Sequence, residues 1–444
     1  MSQQVPANEP VIDRPPVVAD TAPQAVDAEV SPQVRIGGFK IPTATLRAYT
    51  MVFALIVIWA VFHYVSSPQR PDFAWPWEGL NAFFVLLKNH VIYFFSFDWV
   101  REGIFLSSRN FSNLMRQSSV TGVLAVGMLM VIVTGQIDLS VGSVVGLAGG
   151  IAAMSQGWGV LPALAIAIIV GLIIGALHGT LVAYVNIPAF IVTLGGMLAW
   201  AGVTLGTMKG ETITLTLPAF RAIGEQYVAP MIGNVLALIA IAYIVWTTMQ
   251  RNSARRRHNL PASATGATII RIALPSIVIA LFIYLMNKQG GVPISVFIML
   301  VVALLGAFVT QNTTFGRYLY AIGGNPDAAR LSGISLRRHI LAAFCIMGAL
   351  AGLAALIHTA RQGSAAPEAG KLMELDAIAA CVIGGTSLMG GRGTVFGAIL
   401  GALIMASLDN GMSLLNFQSY VQPIVKGTVL VAAVGFDMLS RQRS

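Results

Sequence analysis

The sequence predicts an all-α polytopic membrane protein with about ten to twelve transmembrane helices, broken or re-entrant segments and a weak internal repeat. Three observations carry this. First, 56% of the residues are hydrophobic and only 10% are charged. A soluble domain carries about 25% charged residues, so a water-facing surface of this length cannot be built. Second, from Gln117 to Met208 the one Asp, Glu, Lys or Arg is Asp138. At about 20 apolar residues per spanning helix, that stretch holds about four crossings. Third, the apolar runs are long and continuous rather than short and alternating, which selects helices over an outer-membrane barrel.

The elements follow in order. Residues 1–45 are polar, rich in Pro, Val and Ala, and read as a disordered cytoplasmic tail without the cationic start and apolar core of a signal peptide. Arg35, Lys40 and Arg47 precede the first apolar run, Tyr49 to Val65, and place the N-terminus in the cytoplasm. Residues 46–106 hold this crossing and a stretch with Trp75, Trp77 and Trp99, aromatic residues of the membrane interface. Within it, Asn81 to Phe97 is interrupted by Lys88, Asn89 and His90, which favours an interfacial or partly inserted helix. Residues 107–444 form the main domain. Val120 to Thr134 is apolar, Gly135 to Gly142 interrupts it, and Ser143 to Met154 resumes. Val160–Val185, Ile187–Met208 and Asn234–Met249 follow, then a basic loop with Arg251, Arg255, Arg256 and Arg257. Thr268–Met286 and Pro293–Val309 form a hairpin, so the loop 311–339, with Arg317, Arg330, Arg337 and Arg338, lies on the same cytoplasmic side as the earlier basic loop. Ile340–Ala360, Leu372–Leu388, Val395–Leu415 and Val421–Leu439 complete the set, and Arg441 and Arg443 keep the C-terminus cytoplasmic.

The internal echo pairs Gln136–Gly146 with Gly385–Gly397, and Asn186–Thr193 with Gln418–Gly427. In each half a Gly-interrupted apolar segment is followed by one with an early Pro. Repeated halves with broken helices are a transporter signature, because unwound backbone is tolerated only where it lines a cavity or is buried in protein.

Several function classes are excluded. The net charge of +9 sits in short loops, where it orients the chain in the membrane and does not indicate nucleic acid. Cys345 and Cys381 lie in apolar segments without CxxC spacing, and no His pair has metal-ligand spacing on a helix. There is no GxGD, HExxH or GxSxG motif for an intramembrane enzyme. No GxxxxGK[ST] occurs, so the chain has no phosphate-binding loop of its own; the glycine-rich Gly384–Gly393 reads as helix breaking and close packing.

The loop from Thr314 to Ser335 is the most informative segment. Asn325-Pro326 reads as a helix start, with Asn as cap and Pro at the first helical position, and a short helix from Pro326 to about Ser332 can end at Gly333. Ala328 and Ala329 are small enough for close approach by another surface. Taken alone, the loop fits either an ordinary amphipathic helix or a contact that accepts force from a partner.

Here the sequence resembles the coupling loop of ABC importer permeases, in which an alanine pair is followed four residues later by glycine. Ala329 and Gly333 keep that spacing, and Asp327 stands where the family has Glu. IDLSVGS at Ile137–Ser143, AIGGNPDAARLSGI at Ala321–Ile334 and IGGTSLMGGRGTVFGA at Ile383–Ala398 are similar to the monosaccharide branch of these permeases. PAFIVTLGGMLA at Pro188–Ala199, LDAIAACVIGGTSL at Leu375–Leu388 and MASLDNGMS at Met405–Ser413 are most similar to its D-xylose permeases. The resemblance runs from about Phe105 to the C-terminus and leaves out the N-terminal tail. It implies the permease of an ATP-driven sugar importer in a bacterial inner membrane. A second permease copy, cytoplasmic ABC ATPases and a periplasmic sugar-binding protein would complete the assembly. ATP would be bound by the ATPases, and this chain would need no cofactor. The residues implied in ATPase coupling are Asn325, Pro326, Asp327, Ala328, Ala329, Arg330 and Gly333.

The intramembrane polar residues give the candidate sugar path: Asp138, Ser140, Ser143, Glu374, Asp376 and Asn410. Facing lipid, Asp138 would cost about 2.5–3.5 kcal/mol. It reads as an N-cap for a helix beginning near Leu139, as a path residue, or as both. Glu374 and Asp376 fit either exposure at the entrance of their segment or a place on the path. Asp409 and Lys426 are expected to pair across two helices, and His178 and His358 to snorkel or cap near helix ends. The competing reading is a proton-coupled secondary transporter with Asp138, Glu374 and Asp376 titrating, against which the coupling loop argues.

Overall fold

A computed structural model of the chain describes residues 33–36, 39–68, 88–93, 96, 98–257 and 265–442. The chain divides into two units, Met1–Tyr49 and Thr50–Ser444. In the first, β1 (Gln33–Ile36) and β2 (Phe39–Pro42) pair antiparallel, with Ile36 opposite Phe39, so part of the segment expected to be disordered is a hairpin. The sequence between the strands is Gly37-Gly38, a favoured two-residue hairpin connection. Residues 1–32 of the expected tail lie outside the described residues.

Helix α1 spans Thr43–Val65. The Trp-rich stretch lies largely outside the described residues; Lys88–Tyr93 is helical or near it, Lys88 is exposed, and His90 Nδ1 bonds Tyr64 Oη at 2.8 Å. The helices that follow are α2 (Asp98–Glu102), α3 (Ser108–Ile132), α4 (Val141–Met154), α5 (Val160–Ala183), α6 (Ala189–Thr207) and α7 (Pro218–Glu225). The second half holds α8 (Pro230–Arg257), α9 (Thr265–Asn287), α10 (Ile294–Asn312), α11 (Thr314–Gly324), α12 (Pro326–Leu331), α13 (Leu336–Gln362), α14 (Met373–Ile383), α15 (Val395–Leu414) and α16 (Val421–Gln442). The all-α class is borne out. Among the described residues eight helices are long and apolar enough to span a membrane, fewer than the ten to twelve expected, and Thr50–Val65 and Val421–Ala432 are shorter apolar helices.

Three helices depart from the sequence expectation for a physical reason. α3 starts at Ser108, not Val120. Its early polar side chains are absorbed locally: Ser118 Oγ and Ser119 Oγ donate to carbonyls three residues back, and Ser107 Oγ caps Asn110 N. α8 continues through its arginines to Arg257, because long basic side chains are good helix formers. α7 was hidden by its brevity.

Small strand pairs fix which helix ends lie together. β4 (Tyr227–Val228) pairs with β5 (Val292–Pro293), which brings the starts of α8 and α10 together. β3 (Ile213–Thr214) pairs with β6 (Ser364–Ala365), joining the ends of α6 and α13. The opposite end of the bundle then carries Arg251, Arg255, Arg256 and Arg257 at the end of α8 and the arginines around α12. Arg337 lies over the Tyr184 ring at 5.9 Å, which puts the end of α5 there too.

The core runs along α3 and α13. α5 and α13 cross closely at Gly171 and Gly348, where a Cβ on either would collide with the other's carbonyl oxygen. In lipid such small-residue contacts replace the hydrophobic drive that lipid cannot supply. By contrast, α8 and α9 leave Leu238, Tyr243, Ile277 and Leu281 exposed, a surface suited to acyl chains.

Candidate functional site

The loop between α10 and α13 folds as two capped helices. Thr313 Oγ1 accepts from Gly316 N at 3.1 Å and starts α11. Asn325 ends α11 and caps α12, its Oδ1 accepting from Ala328 N at 3.0 Å, with Pro326 at the first helical position. Asp327 in the first turn and Arg330 in the last complement the helix dipole. α12 closes in a Schellman motif: Gly333 N donates to Arg330 O and Ile334 N to Ala329 O, both at 3.0 Å, with Gly333 at φ +79°. One expectation needs correction. Ala329 is 4% exposed and faces inward, whereas Pro326, Asp327, Ala328, Arg330 and Gly333 are exposed and Leu331 is 89% exposed. The surface that α12 offers is therefore built on Ala328 and Leu331. The reason is helical geometry, since neighbours in sequence point about 100° apart.

Both expected helix breaks are present, at residues 133–140 and 384–394. They meet each other and the end of α11. Gly391 N donates to Val133 O at 2.9 Å, and Tyr320 Oη donates to Gly393 O at 2.9 Å. Gly323 lies so close that a Cβ would collide with Val133 O. Three segments distant in sequence thus form one node directly before α12. Sequence reasoning missed Tyr320 and Gly323; the only signal was the Gly323-Gly324 pair just before the Asn325 cap.

Above the first break lies a buried polar chain. Trp200 Nε1 donates to His178 Nε2 at 3.0 Å, which leaves the imidazole proton on Nδ1, 3.2 Å from Ser140 Oγ. Ser140 Oγ and Ser140 N both donate to Asp138 Oδ1, at 2.6 and 2.8 Å. Asp138 is 4% exposed. It does not cap a helix beginning near Leu139: α4 begins at Val141, and Asp138 holds the N–H of the residue before it, the Asx-turn that a short acceptor side chain makes two residues on. Ser143 Oγ donates to Ser140 O at 2.7 Å. His178 neither snorkels nor caps, but is a member of this chain. His178 and Trp200 were legible only as polar atoms in apolar helices, each of which needs a partner.

Glu374 and Asp376 are not exposed at a segment entrance. Glu374 is 5% exposed, packed where a Cβ on Gly142 would sit, within electrostatic reach of Asp138. Lys426 Nζ binds Asp376 at 2.9–3.0 Å and Asp409 at 2.8 Å, so the expected Asp409–Lys426 pair is a triad. Asn410 Oδ1 accepts from Asn110 Nδ2 at 2.7 Å and ties α15 to α3. Of the six candidate path residues, Asp138, Ser140, Ser143 and Glu374 cluster around the start of α4, whereas Asp376 and Asn410 serve inter-helix ties.

The comparisons with known proteins agree with this architecture. Residues 110–434 match the family model described as branched-chain amino acid transport system / permease component. The chain is 45% identical over 391 residues to the xylose transport system permease protein of Escherichia coli (strain K12), covering 85% of this chain and 99% of that one. It is 45% identical to the xylose transport system permease protein of Haemophilus influenzae (82% and 98% covered) and 37% identical to the ribose import permease protein of Escherichia coli (strain K12) (75% and 87% covered). No solved structure matches the chain. With most of its length matched by the family model and by relatives above 30% identity, the chain belongs to this family of multi-pass transport-system permease components.

Proposed function

We propose that the chain is the sugar-conducting subunit of an ATP-driven importer in a bacterial inner membrane, with D-xylose as its cargo. The observation that carries the reading is the connection of a capped, exposed helix, α12, through the glycine node to both helix breaks, the first of which holds buried Asp138 with Glu374 beside the adjoining start of α4. The relatives' names supply the sugar.

The mechanism follows from this geometry. A cytoplasmic ABC ATPase binds ATP, supplies the energy and seats against Ala328 and Leu331. The chain itself has no phosphate-binding loop and no need of a cofactor. Closure of the ATPases displaces α12, and α11 acts as a short lever. Because Gly323 is wedged against Val133 and Tyr320 holds Gly393, the displacement reaches both breaks together. The ends of α4 and α14 then reorient around Asp138 and Glu374, opening the path to alternate sides. A second copy of the chain completes the pore, and a periplasmic sugar-binding protein delivers the cargo. The arginines gathered at the α12 end support a cytoplasmic place for that end and for both termini.

The test is D-xylose uptake into proteoliposomes holding this chain, with and without its ATPase and binding protein. Uptake that requires every component and ATP on the ATPase side is the expected result. Uptake by the chain alone, driven by a pH gradient, would replace this reading with a proton-coupled secondary transporter.

A further inference from the structure

Between Glu225 and Asp327 the sequence holds no Asp or Glu. All of α8 and α9 falls in that stretch, and with them Arg251, Arg255, Arg256, Arg257 and Arg271. Neither helix therefore supplies a carboxylate to its own arginines. Arg251 and Arg271 are both exposed, and neither forms an ion pair among the described residues.

Two hydrogen bonds fix the depth of these arginines in the bilayer. At one end of the α8–α9 hairpin Asn287 Nδ2 donates to Asn234 Oδ1 at 2.8 Å, and at the other Asn252 Nδ2 donates to Thr268 Oγ1 at 3.2 Å. From Asn234 to Asn252 the helix advances about 27 Å, close to the roughly 30 Å of a hydrocarbon core. Between the two ties lie the exposed Leu238, Tyr243, Ile277 and Leu281. The Asn252–Thr268 tie thus marks one hydrocarbon boundary. Arg251 is one position inside it on α8 and Arg271 is three positions inside it on α9, so the two differ in depth by about 3 Å. An arginine at that depth extends its guanidinium outward, to the layer of lipid phosphates.

The surface beside Arg251 suits the rest of a lipid. Thr247, Thr248, Gln250, Arg251 and Ala254 line a groove of about 350 Å³. Further in, the Tyr243 and Trp246 rings are 6.1 Å apart and 62% and 56% exposed, an aromatic pair of the membrane interface. Along α8 a lipid meets apolar and aromatic surface for its acyl chains, hydroxyl and amide groups for its glycerol, and a guanidinium for its phosphate. Charge then selects the headgroup. A zwitterionic headgroup brings a cation with its phosphate, and neither helix has a carboxylate to receive it. An anionic headgroup brings none, and basic groups at a membrane surface attract it. The acidic surface of a soluble protein would meet arginines beyond Asn252 but not Arg271, which lies inside the hydrocarbon boundary.

We propose that the end of the α8–α9 hairpin on the α12 side is a binding site for an anionic glycerophospholipid, with its phosphate on Arg251 and Arg271 and its acyl chains along the exposed face of α8. The proposal rests on neither the cargo nor the ATPase. The test is native mass spectrometry of the full chain in detergent, titrated with phosphatidylglycerol or with phosphatidylcholine of matched acyl chains. The chain should retain phosphatidylglycerol in preference. Arg251→Gln and Arg271→Gln should each weaken its binding about fivefold, and the double variant about 25-fold, with phosphatidylcholine binding unchanged. Lys288→Gln, which removes a charge beyond the far end of α9, should leave phosphatidylglycerol binding as it was. Equal thermal unfolding of all these variants in phosphatidylcholine shows that the fold is intact. Wild-type retention of phosphatidylglycerol by the double variant overturns the site. An equal loss in Lys288→Gln also overturns it, because net charge alone would then attract the lipid. Displacement of the lipid by inorganic phosphate makes a soluble anion the occupant, and its release when the ATPase assembles gives the arginines to that protein; either result overturns the lipid site.

Discussion

At the scale of single residues, the membrane interior sets the rule that each polar group must find a partner. Lys426 shows how strongly. Its ammonium is the cation that binds both the Asp376 and the Asp409 carboxylate, and the side chains of all three are at most 20% exposed. Removing one member of a buried ion cluster leaves uncompensated charge, which costs about 3–5 kcal/mol, whereas replacing the whole cluster by neutral groups is often close to neutral. Lys426→Met is therefore expected to lower thermal stability in detergent by about that amount. Asp376→Asn should cost less, because Asp409 still holds the ammonium. The triple variant Asp376→Asn, Asp409→Asn, Lys426→Met should recover most of the loss. A triple variant as unstable as Lys426→Met alone would show that the three residues do not act as one electrostatic unit.

At the scale of elements, α12 presents one side to its own bundle and the other outward. Inward-facing Ala329 and outward-facing Ala328 are adjacent in sequence and opposite in role. Cysteine at Ala328 or Leu331 should crosslink to the ATPase in the assembled importer, while cysteine at Ala329 should not, and its added bulk should disturb the packing of α12 instead. Efficient crosslinking from Ala329, with none from Ala328 or Leu331, would mean that α12 turns over in the complex. Much of this element was legible in the sequence, since Asn325-Pro326 and Gly333 are local signals that act within one turn. Likewise the breaks at Gly135 and Gly384 and the long apolar runs announce themselves through composition. What was not legible depends on contacts between distant segments. Trp200 finds His178 across 22 positions, Tyr320 finds Gly393 across 73, and Asn110 finds Asn410 across 300. Nothing in the periodicity of an apolar helix says which neighbour it meets. Burial of Glu374 was ambiguous for the same reason: the helix that covers it, α4, lies more than 200 residues earlier.

At the scale of the whole molecule, the end of α13 beside β6 and the exposed helix α12 lie at opposite ends of a 27-residue helix, about 40 Å long, and the proposed transport cycle requires that the two ends respond to each other. Rigid helices transmit displacement, but only where their ends are held together. At the glycine node α11, the end of α3 and the loop after α14 all touch. Gly323→Val tests its role, because a side chain there must push the end of α11 away from Val133 O. The chain should still insert and assemble, since α12 and its caps lie beyond the node. Basal ATP hydrolysis by the complex should persist, while stimulation by sugar-loaded binding protein, and uptake with it, should fall by about tenfold or more, within the range of ordinary coupling energies. Tyr320→Phe removes a single hydrogen bond and should give a smaller loss of the same kind. Gly427→Val is the control, because a side chain at that position of α16 meets open space. If the Gly323→Val complex keeps its full stimulation and uptake, force reaches the breaks by another route, and the lever would have to be sought in the direct contact of α12 with α13. If instead basal and stimulated hydrolysis fall together, the variant has damaged ATPase docking rather than transmission, and the crosslinking pattern at Ala328 and Leu331 will show it.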